Sequence, residues 1–358
     1  MDQKELFTLK IKPYDAVLEE KIGGNWDTIA KPIDGLGDFE DAIAKIGAMQ
    51  GKEQPGLDRI VNLVFCADNG IVEEGVTQTG QEVTKTVAGM LGKRAGTSSI
   101  LAEYAGVINK PVDVGIACEE ETEGVINRKI AYGTRNFLKE PAMTKEEALL
   151  AIETGLSLVK EEAKLGTDLI TTGEMGIGNT TTATTLLCLF CKAKPEEVTG
   201  RGAGLSDEGF HKKLEVIEKA VLAGRSQHFT DERERALNLL ARFGGLDIAA
   251  LAGTFIGGAV CGIPVIIDGL ISATAAVIAE ALVPGTKAYM LPSHAGRERG
   301  CRIALDQIGL KPFLLGDMAL GEGTGALMLV PLLKMTLALY KKGLRFTDTG
   351  IDSYRRNP

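Results

Sequence analysis

Histidine is nearly missing from this chain. With only His211, His228 and His294 in 358 residues, acid–base chemistry would fall to carboxylates. An excess of basic charge is also lacking. A net charge of -8 and a pI near 5.2 argue against wholesale binding to nucleic acid or to an anionic membrane, and leave room only for a local basic pocket. The N-terminal MDQKELFTLKIKPYD has no apolar secretory core and carries acids that transit peptides avoid, so the expected location is cytoplasmic. Nothing suggests secretion, so Cys66, Cys118, Cys188, Cys191, Cys261 and Cys301 are expected to be free, mostly core thiols. Cys188 and Cys191 form a C-x-x-C inside LLCLFCKA, but no second pair and no nearby histidine accompany them, so neither a metal nor a cofactor is expected. One uncharged run, Ile248 to Ile267, is long enough to span a bilayer. It is rich in Gly and Ala, contains Pro264 and has no basic or aromatic anchors, so it reads as a buried helix followed by a buried strand. Gly253 and Gly257 would let another backbone approach that helix. Neither a solenoid-period repeat nor a low-complexity tract occurs.

What is present is a repeated unit. From Ile60 onward, short runs rich in Val and Ile lead into small polar or Gly-rich loops and then into helical patterns: IVNLVFCA before DNG, VDVGIA, DLITT before GEMGIG, IPVII before DGL, and AYMLP before SHAG. This is α/β logic, and loops at the carboxyl ends of parallel strands should converge on one ligand site. A helix is expected over Ser206 to Ala223 with Ser206 as its cap, a second from Thr230 to Gly244-Gly245, and a C-terminal one over Ala326 to Lys342, broken or bent near Pro331. The expected organisation is a small helical region over residues 1–58, a large α/β domain over 59–304, and a segment over 305–358 that returns to the small region.

Three glycine loops carry the chemical signals. Gly173 and Gly178 in GEMGIGNTT have the spacing of a nucleoside-triphosphate phosphate loop, but Asn179 stands where that loop needs its lysine. Backbone N–H groups and the hydroxyls of Thr180, Thr181 and Thr182 could still hold a single phosphate or a carboxylate at a helix N-terminus; a plain helix-capping turn is the alternative. Gly200-Arg201-Gly202-Ala203-Gly204 precedes Lys212 and Lys213, either of which could supply the missing charge or could simply be solvated. Gly321-Glu322-Gly323-Thr324-Gly325 leaves a carboxylate open to approach, for catalysis or for complementing a helix dipole. Glu174 is likewise set among glycines and suits ribose hydroxyls, while Asp68-Asn69-Gly70 and Asp268-Gly269 put acids at strand ends, as turn formers or substrate contacts. No loop has the G-x-G-x-x-G pattern and later acid of a dehydrogenase.

Together ADNGIVEEGVTQTGQEVT, GEMGIGNTTTA, GRGAGLSDEG, GGLDIAALAG, PVIIDGLISATAA, SHAGRERG and ALGEGTGALMLVPLL resemble the nicotinate-nucleotide:dimethylbenzimidazole phosphoribosyltransferases of cobamide lower-ligand assembly, in unbroken order over roughly residues 30–340. The resemblance implies a Rossmann-like, mostly parallel sheet with flanking helices plus a small helical domain from both chain ends, assembled as a dimer. It implies transfer of ribose phosphate from nicotinate mononucleotide to an aromatic base. Glu322 would be the general base, Gly176, Gly178, Asn179 and Thr180 the phosphate cradle, and Gly202, Lys213 and Ser293 positions around the donor phosphate or ribose. Glu174 and Asp268 would lie near the sugar, and Gln81 in the acceptor pocket. Three positions depart from the family pattern: Asn69 replaces a usual histidine, Arg299-Gly300-Cys301 a Pro-Gly-His, and Ala319 a common arginine. These question the acceptor more than the reaction. Relatives that use phenol or p-cresol pair two unlike subunits, so a heterodimer with a paralogue stands beside the homodimer, and a non-catalytic nucleotide-binding paralogue is the third reading.

Overall fold

The computed structural model describes residues 1–356, so the last two residues of the expected 305–358 segment lie outside the described residues. Ile60–Ala67 (β1) is buried at all eight positions, as a strand covered on both faces must be. Ile108–Gly115 (β2), Ile126–Asn127 (β3), Leu169–Met175 (β4), Val265–Ile267 (β5) and Met290–Pro292 (β6) join it in one sheet of order β3-β2-β1-β4-β5-β6, with every pairing parallel. That is the doubly wound order whose direction reverses between β1 and β4, where such sheets open a crevice at their carboxyl ends. Just past β6, His294–Ala295 (β7) pairs in parallel with Leu314–Leu315 (β8).

Two strands differ from expectation. Glu174 was expected inside a glycine loop, but β4 runs on through it, because Gly173 and Glu174 pair with Val64 and Phe65 of β1. The loop proper is therefore only Gly176-Ile177-Gly178. In AYMLP the strand starts at Met290; Tyr289 belongs to a short 3-10 turn, and its hydroxyl donates to the Lys12 and Pro13 carbonyls at 2.9 and 3.3 Å, tying down the N-terminal chain.

The uncharged run is a buried helix, Leu246–Cys261, followed by β5. It lies along Lys145–Lys164 at a separation that only glycine permits: a Cβ on Gly253 would sit 2.0 Å from the Ile152 carbonyl oxygen, and one on Gly155 2.0 Å from that of Ala250. Ser206 caps Asp207–Arg225 by accepting from the Gly209 N–H at 3.1 Å. The next helix begins at Glu232 rather than Thr230, because the Asp231 carboxylate accepts the N–H groups of Arg233 and Glu234 at 2.8 and 2.9 Å.

Thr324–Lys342 is one uninterrupted helix that contains Pro331, so the break that was one of the two expected outcomes does not occur. Its length and composition would suit a membrane, yet Leu327, Leu329, Val330, Leu333 and Leu337 are buried, and it is a core helix. It shares a hydrophobic cluster with Ala16–Asp27, Asp38–Gln50 and the strand residues Ile60, Leu169, Ile266 and Leu291. Trp26 and Tyr340 meet there with ring centroids 5.0 Å apart. All six cysteines are free thiols, and burial pushes those of Cys188 and Cys191 up to about 12.

Candidate active site

The chain leaves β4 through a turn that needs both glycines. A Cβ on Gly176 would strike the Ala67 carbonyl at 2.4 Å, and Gly178 has φ +94°. The turn delivers the N-terminus of Asn179–Phe190, which no side chain caps. Asn179 looks inward instead: its amide donates to the carboxylates of Glu174 and, at 2.9 Å, Asp247. Thr180 faces the cavity and accepts from Lys213 Nζ at 2.9 Å. Gly202, at φ +53°, packs where a Cβ would lie 3.1 Å from Thr180 Oγ1 and 3.5 Å from Lys213 Nζ. The two glycine loops and one lysine therefore converge. Lys213 is 1% exposed, and burial brings its ammonium down to about 8, opposed by Glu298; Lys212 is exposed and lies against Gly75.

Four acids gather beside these loops. Burial pushes Glu174 up to about 8, helped by the charges of Asp247, Asp268 and Glu322 and opposed by the Asn179 amide. Burial likewise raises Asp247 to about 6. Asp268 is raised by burial and opposed by His294; its carboxylate accepts the N–H groups of Gly323 at 3.2 Å and Ala326 at 3.0 Å, so it holds the start of Thr324–Lys342.

Those bonds fix the loop that carries the fourth acid. Gly321, Glu322 and Gly323 are three successive left-handed residues, with φ of +92°, +58° and +83°. A non-glycine residue costs about 1–2 kcal/mol there and persists only when its surroundings hold it. The Glu322 N–H donates to the Glu174 carbonyl at 3.2 Å, and its own carbonyl accepts from the Asn62 amide at 3.3 Å. The Glu322 carboxylate accepts the Ser98 N–H at 3.2 Å, in the first turn of helix Thr97–Ala105, where the helix dipole favours negative charge.

A cavity of about 650 Å³ is walled by Glu174, Gly176, Gly178, Asn179, Thr180, Gly202 and Glu322 among others. A recess of about 80 Å³ beside it reaches Asp268, His294 and Cys301 and shares Glu174, Thr180 and Glu298 with the main space. Three expected residues line neither: Lys213 is buried behind Thr180, and Ser293 and Gln81 also lie outside the walls. Ser293 is fully buried behind the recess, its hydroxyl 3.3 Å from the Asp268 carbonyl and 2.9 Å from His294 Nδ1. Gln81 donates to the Asn69 carbonyl at 3.3 Å. Asn69 itself is buried; its Oδ1 accepts from Thr182 at 2.9 Å, and its Nδ2 has no partner among the described residues. Ala319 is in the cavity wall, and Cys301 is in the recess.

Sequence reasoning missed Asp247, Ser98 and Glu298. Asp247 sits in the quoted GGLDIAALAG and Glu298 in SHAGRERG, so the signal was present; Ser98 contributes only a backbone N–H, which no side-chain pattern reveals.

The family model described as DBI_PRT, Phosphoribosyltransferase, matches residues 11–351. The nicotinate-nucleotide–dimethylbenzimidazole phosphoribosyltransferase of Acetivibrio thermocellus is 38% identical over 92% of each chain. That of Geobacter sp. strain M21 is 38% identical over 99% of this chain and all of the other. Among solved structures, CobT from Thermus thermophilus superposes with a TM-score of 0.87 at 32% identity, covering 94% of this chain and 99% of its own.

Proposed function

The chain belongs to the nicotinate-nucleotide–dimethylbenzimidazole phosphoribosyltransferase family, and from that premise we propose that it moves the phosphoribosyl group of nicotinate mononucleotide onto dimethylbenzimidazole, in cobamide lower-ligand assembly. One ring nitrogen of the acceptor attacks the anomeric carbon from the face opposite nicotinate, the bond to the pyridinium nitrogen breaks, and nicotinate leaves with a neutral ring nitrogen. The acceptor's other nitrogen gives up its proton to the Glu322 carboxylate, and the product is the α-ribotide.

The observation that carries this reading is the pairing of Lys213 Nζ with Thr180 Oγ1 beside Gly202, at a cavity that a strained Glu322 held by three hydrogen bonds also lines. The first group suits one phosphate at a helix N-terminus. The second suits a positioned base. Glu174, its carboxyl raised to about 8, carries little negative charge at neutral pH and so does not repel the donor phosphate. Asp247 and Asp268 hold Asn179 and the Glu322 loop in place, and Ser293 and Gln81 support the walls from behind. We place the enzyme in the cytoplasm as a homodimer.

The test is incubation of the purified chain with nicotinate mononucleotide and equal dimethylbenzimidazole and p-cresol, with products identified by mass. The benzimidazole ribotide is expected. Ala319, in the cavity wall where the family commonly has arginine, is the reason for including the phenol; p-cresol product alone would replace the acceptor, and no product with either would overturn the reading. Nicotinate riboside, which lacks the phosphate, is expected to be a far poorer donor.

A further inference from the structure

Among the side chains common to the cavity and its recess, Glu298 has a buried oxygen, Oε1, without a hydrogen-bond partner among the described residues. Its place in the chain does not explain that. Glu298 is the N-cap residue of Arg299–Gln307, yet its carboxylate makes no capping bond. Oε1 is seated against the glycine loop: a Cβ on Gly200 would lie 2.2 Å from it, so a side chain there would push the carboxylate from its present place. Lys213 is the cation whose charge acts on Glu298, but the lysine's bond goes to Thr180, and the two make no ion pair. An ionised carboxylate is an acceptor only, and a buried acceptor without a donor is costly. Among the described residues, the fold brings no N–H or O–H to this oxygen. The side chain lines both the cavity and its recess, so a ligand hydroxyl there would meet the carboxylate and let it turn toward a donor.

We propose that Glu298 accepts a hydrogen bond from a ribose hydroxyl of the donor and selects ribosyl over deoxyribosyl mononucleotides. The placement follows from its neighbours. Thr180, backed by the buried Lys213, marks the anion end of the cavity, while Glu174 and Glu322 mark the reacting end. The part of a mononucleotide that joins a phosphate to its anomeric carbon is the sugar with its vicinal diol. Glu298 lies with Glu174 and Thr180 at the junction of the cavity and its recess, where that diol would pass. Burial raises its carboxyl above the ordinary range and Lys213 opposes the rise, so the group is poised to gain from a bound hydroxyl. A site that hydrogen-bonds a substrate hydroxyl rejects the analogue lacking it far more strongly than an apolar pocket does.

This inference rests on the proposed donor, and its test separates the two. Wild type, Glu298→Ala and Glu298→Gln are assayed for kcat/KM with nicotinate mononucleotide and its 2′-deoxy and 3′-deoxy analogues, with dimethylbenzimidazole as acceptor. Wild type is expected to prefer the parent donor over one deoxy analogue by about 10- to 100-fold. Glu298→Ala is expected to lose most of its activity on the parent donor and little on that analogue, so the preference collapses toward unity. Glu298→Gln, which keeps an acceptor oxygen, is expected to fall between. Equal losses on all donors, with the preference intact, would overturn the assignment, because a purely structural role acts without regard to the hydroxyl. Should the alanine variant fail to fold, wild type alone still decides: equal use of parent and both deoxy donors overturns it. If wild type turns over no donor at all, the proposed function has failed instead, and calorimetric binding of the three mononucleotides to wild type and Glu298→Gln carries the same comparison.

Discussion

At the scale of single residues, the site is a set of carboxylates sorted by what surrounds each. Glu322 is held by the Ser98 N–H and presented to the cavity, so replacing it with glutamine keeps the size and the hydrogen-bonding geometry while removing the base. Positioned acid–base groups contribute about 10²–10⁴-fold. Glu322→Gln is expected to lose kcat on that scale with the dissociation constant for nicotinate mononucleotide nearly unchanged, as single-turnover kinetics and calorimetry would show. Undiminished kcat would remove Glu322 from the mechanism. Glu174 makes a different prediction, about stability. Its carboxyl titrates at about 8 in the fold against an ordinary 4.5. Between those values the folded chain keeps a proton that the unfolded chain has lost, so this contribution is whole below about pH 4.5 and declines as pH rises through about 8. Melting temperature of the ligand-free protein is therefore expected to fall from pH 5 to pH 8, and Glu174→Gln to flatten that slope. An unchanged slope in the variant would show that Glu174 is ionised in the fold.

Among the elements, glycines set what can approach what, and they mark where the sequence was readable. The strand runs were legible because each is a continuous apolar stretch ending at a polar turn, as a strand buried on both faces must be. Gly173-Glu174-Met175 misled for the same reason: glycine signals a turn locally, but pairing with β1 overrides it. The phosphate-type loop and the glycine-flanked Glu322 were visible as patterns. The inward turn of Asn179 onto Asp247, 68 residues away, was not, because such contacts depend on topology rather than spacing. Nor could any sequence pattern separate Lys213 from Lys212, since burial of one and exposure of the other depends on the register of Asp207–Arg225 against the loop. The helix pair Lys145–Lys164 and Leu246–Cys261 turns glycine spacing into a test. Gly253→Ala forces a methyl to 2.0 Å from the Ile152 carbonyl and should cost about 1–3 kcal/mol or more as overpacking. At Gly23, inside Ala16–Asp27, an added methyl would meet nothing within 4 Å, so Gly23→Ala should stabilise by about 0.5–1 kcal/mol. Urea unfolding midpoints moving in opposite directions would bear this out; equal shifts would mean that close approach is not what the glycines serve.

Across the whole molecule, the sheet order gathers residues 62 to 326 around one crevice, and the two helices that grip the Glu322 loop are themselves only half covered. Thr97–Ala105 supplies the Ser98 N–H to Glu322, and Thr324–Lys342 begins two residues after it; the two helices pack together. Each carries large apolar side chains on its exposed face, beside Glu103 on the shorter helix and Lys341 and Lys342 at the end of the longer one. Ile100 and Tyr104 lie one turn apart and are 51% and 88% exposed, and Met328, Met335 and Leu339 lie along the longer helix at 50%, 61% and 36%. Scattered exposed hydrophobics are ordinary, but five large ones on two packed helices are the kind of surface that a second subunit covers. A twofold contact would place the same surface against itself. It would also brace both elements that hold Glu322 in its left-handed conformation. The proposed homodimer therefore predicts a link between assembly and turnover. Wild type should elute as a dimer with the mass confirmed by light scattering, and Tyr104→Glu combined with Met335→Glu should give a folded monomer. That monomer is expected to bind nicotinate mononucleotide through the Thr180 and Lys213 end of the cavity with little change, while kcat falls because the Glu322 loop has lost its support. A monomeric wild type, or a variant that stays dimeric, would move the interface elsewhere; a monomeric variant with full kcat would show that the loop's own bonds, from Asp268, Asn62 and Ser98, are sufficient to hold the base.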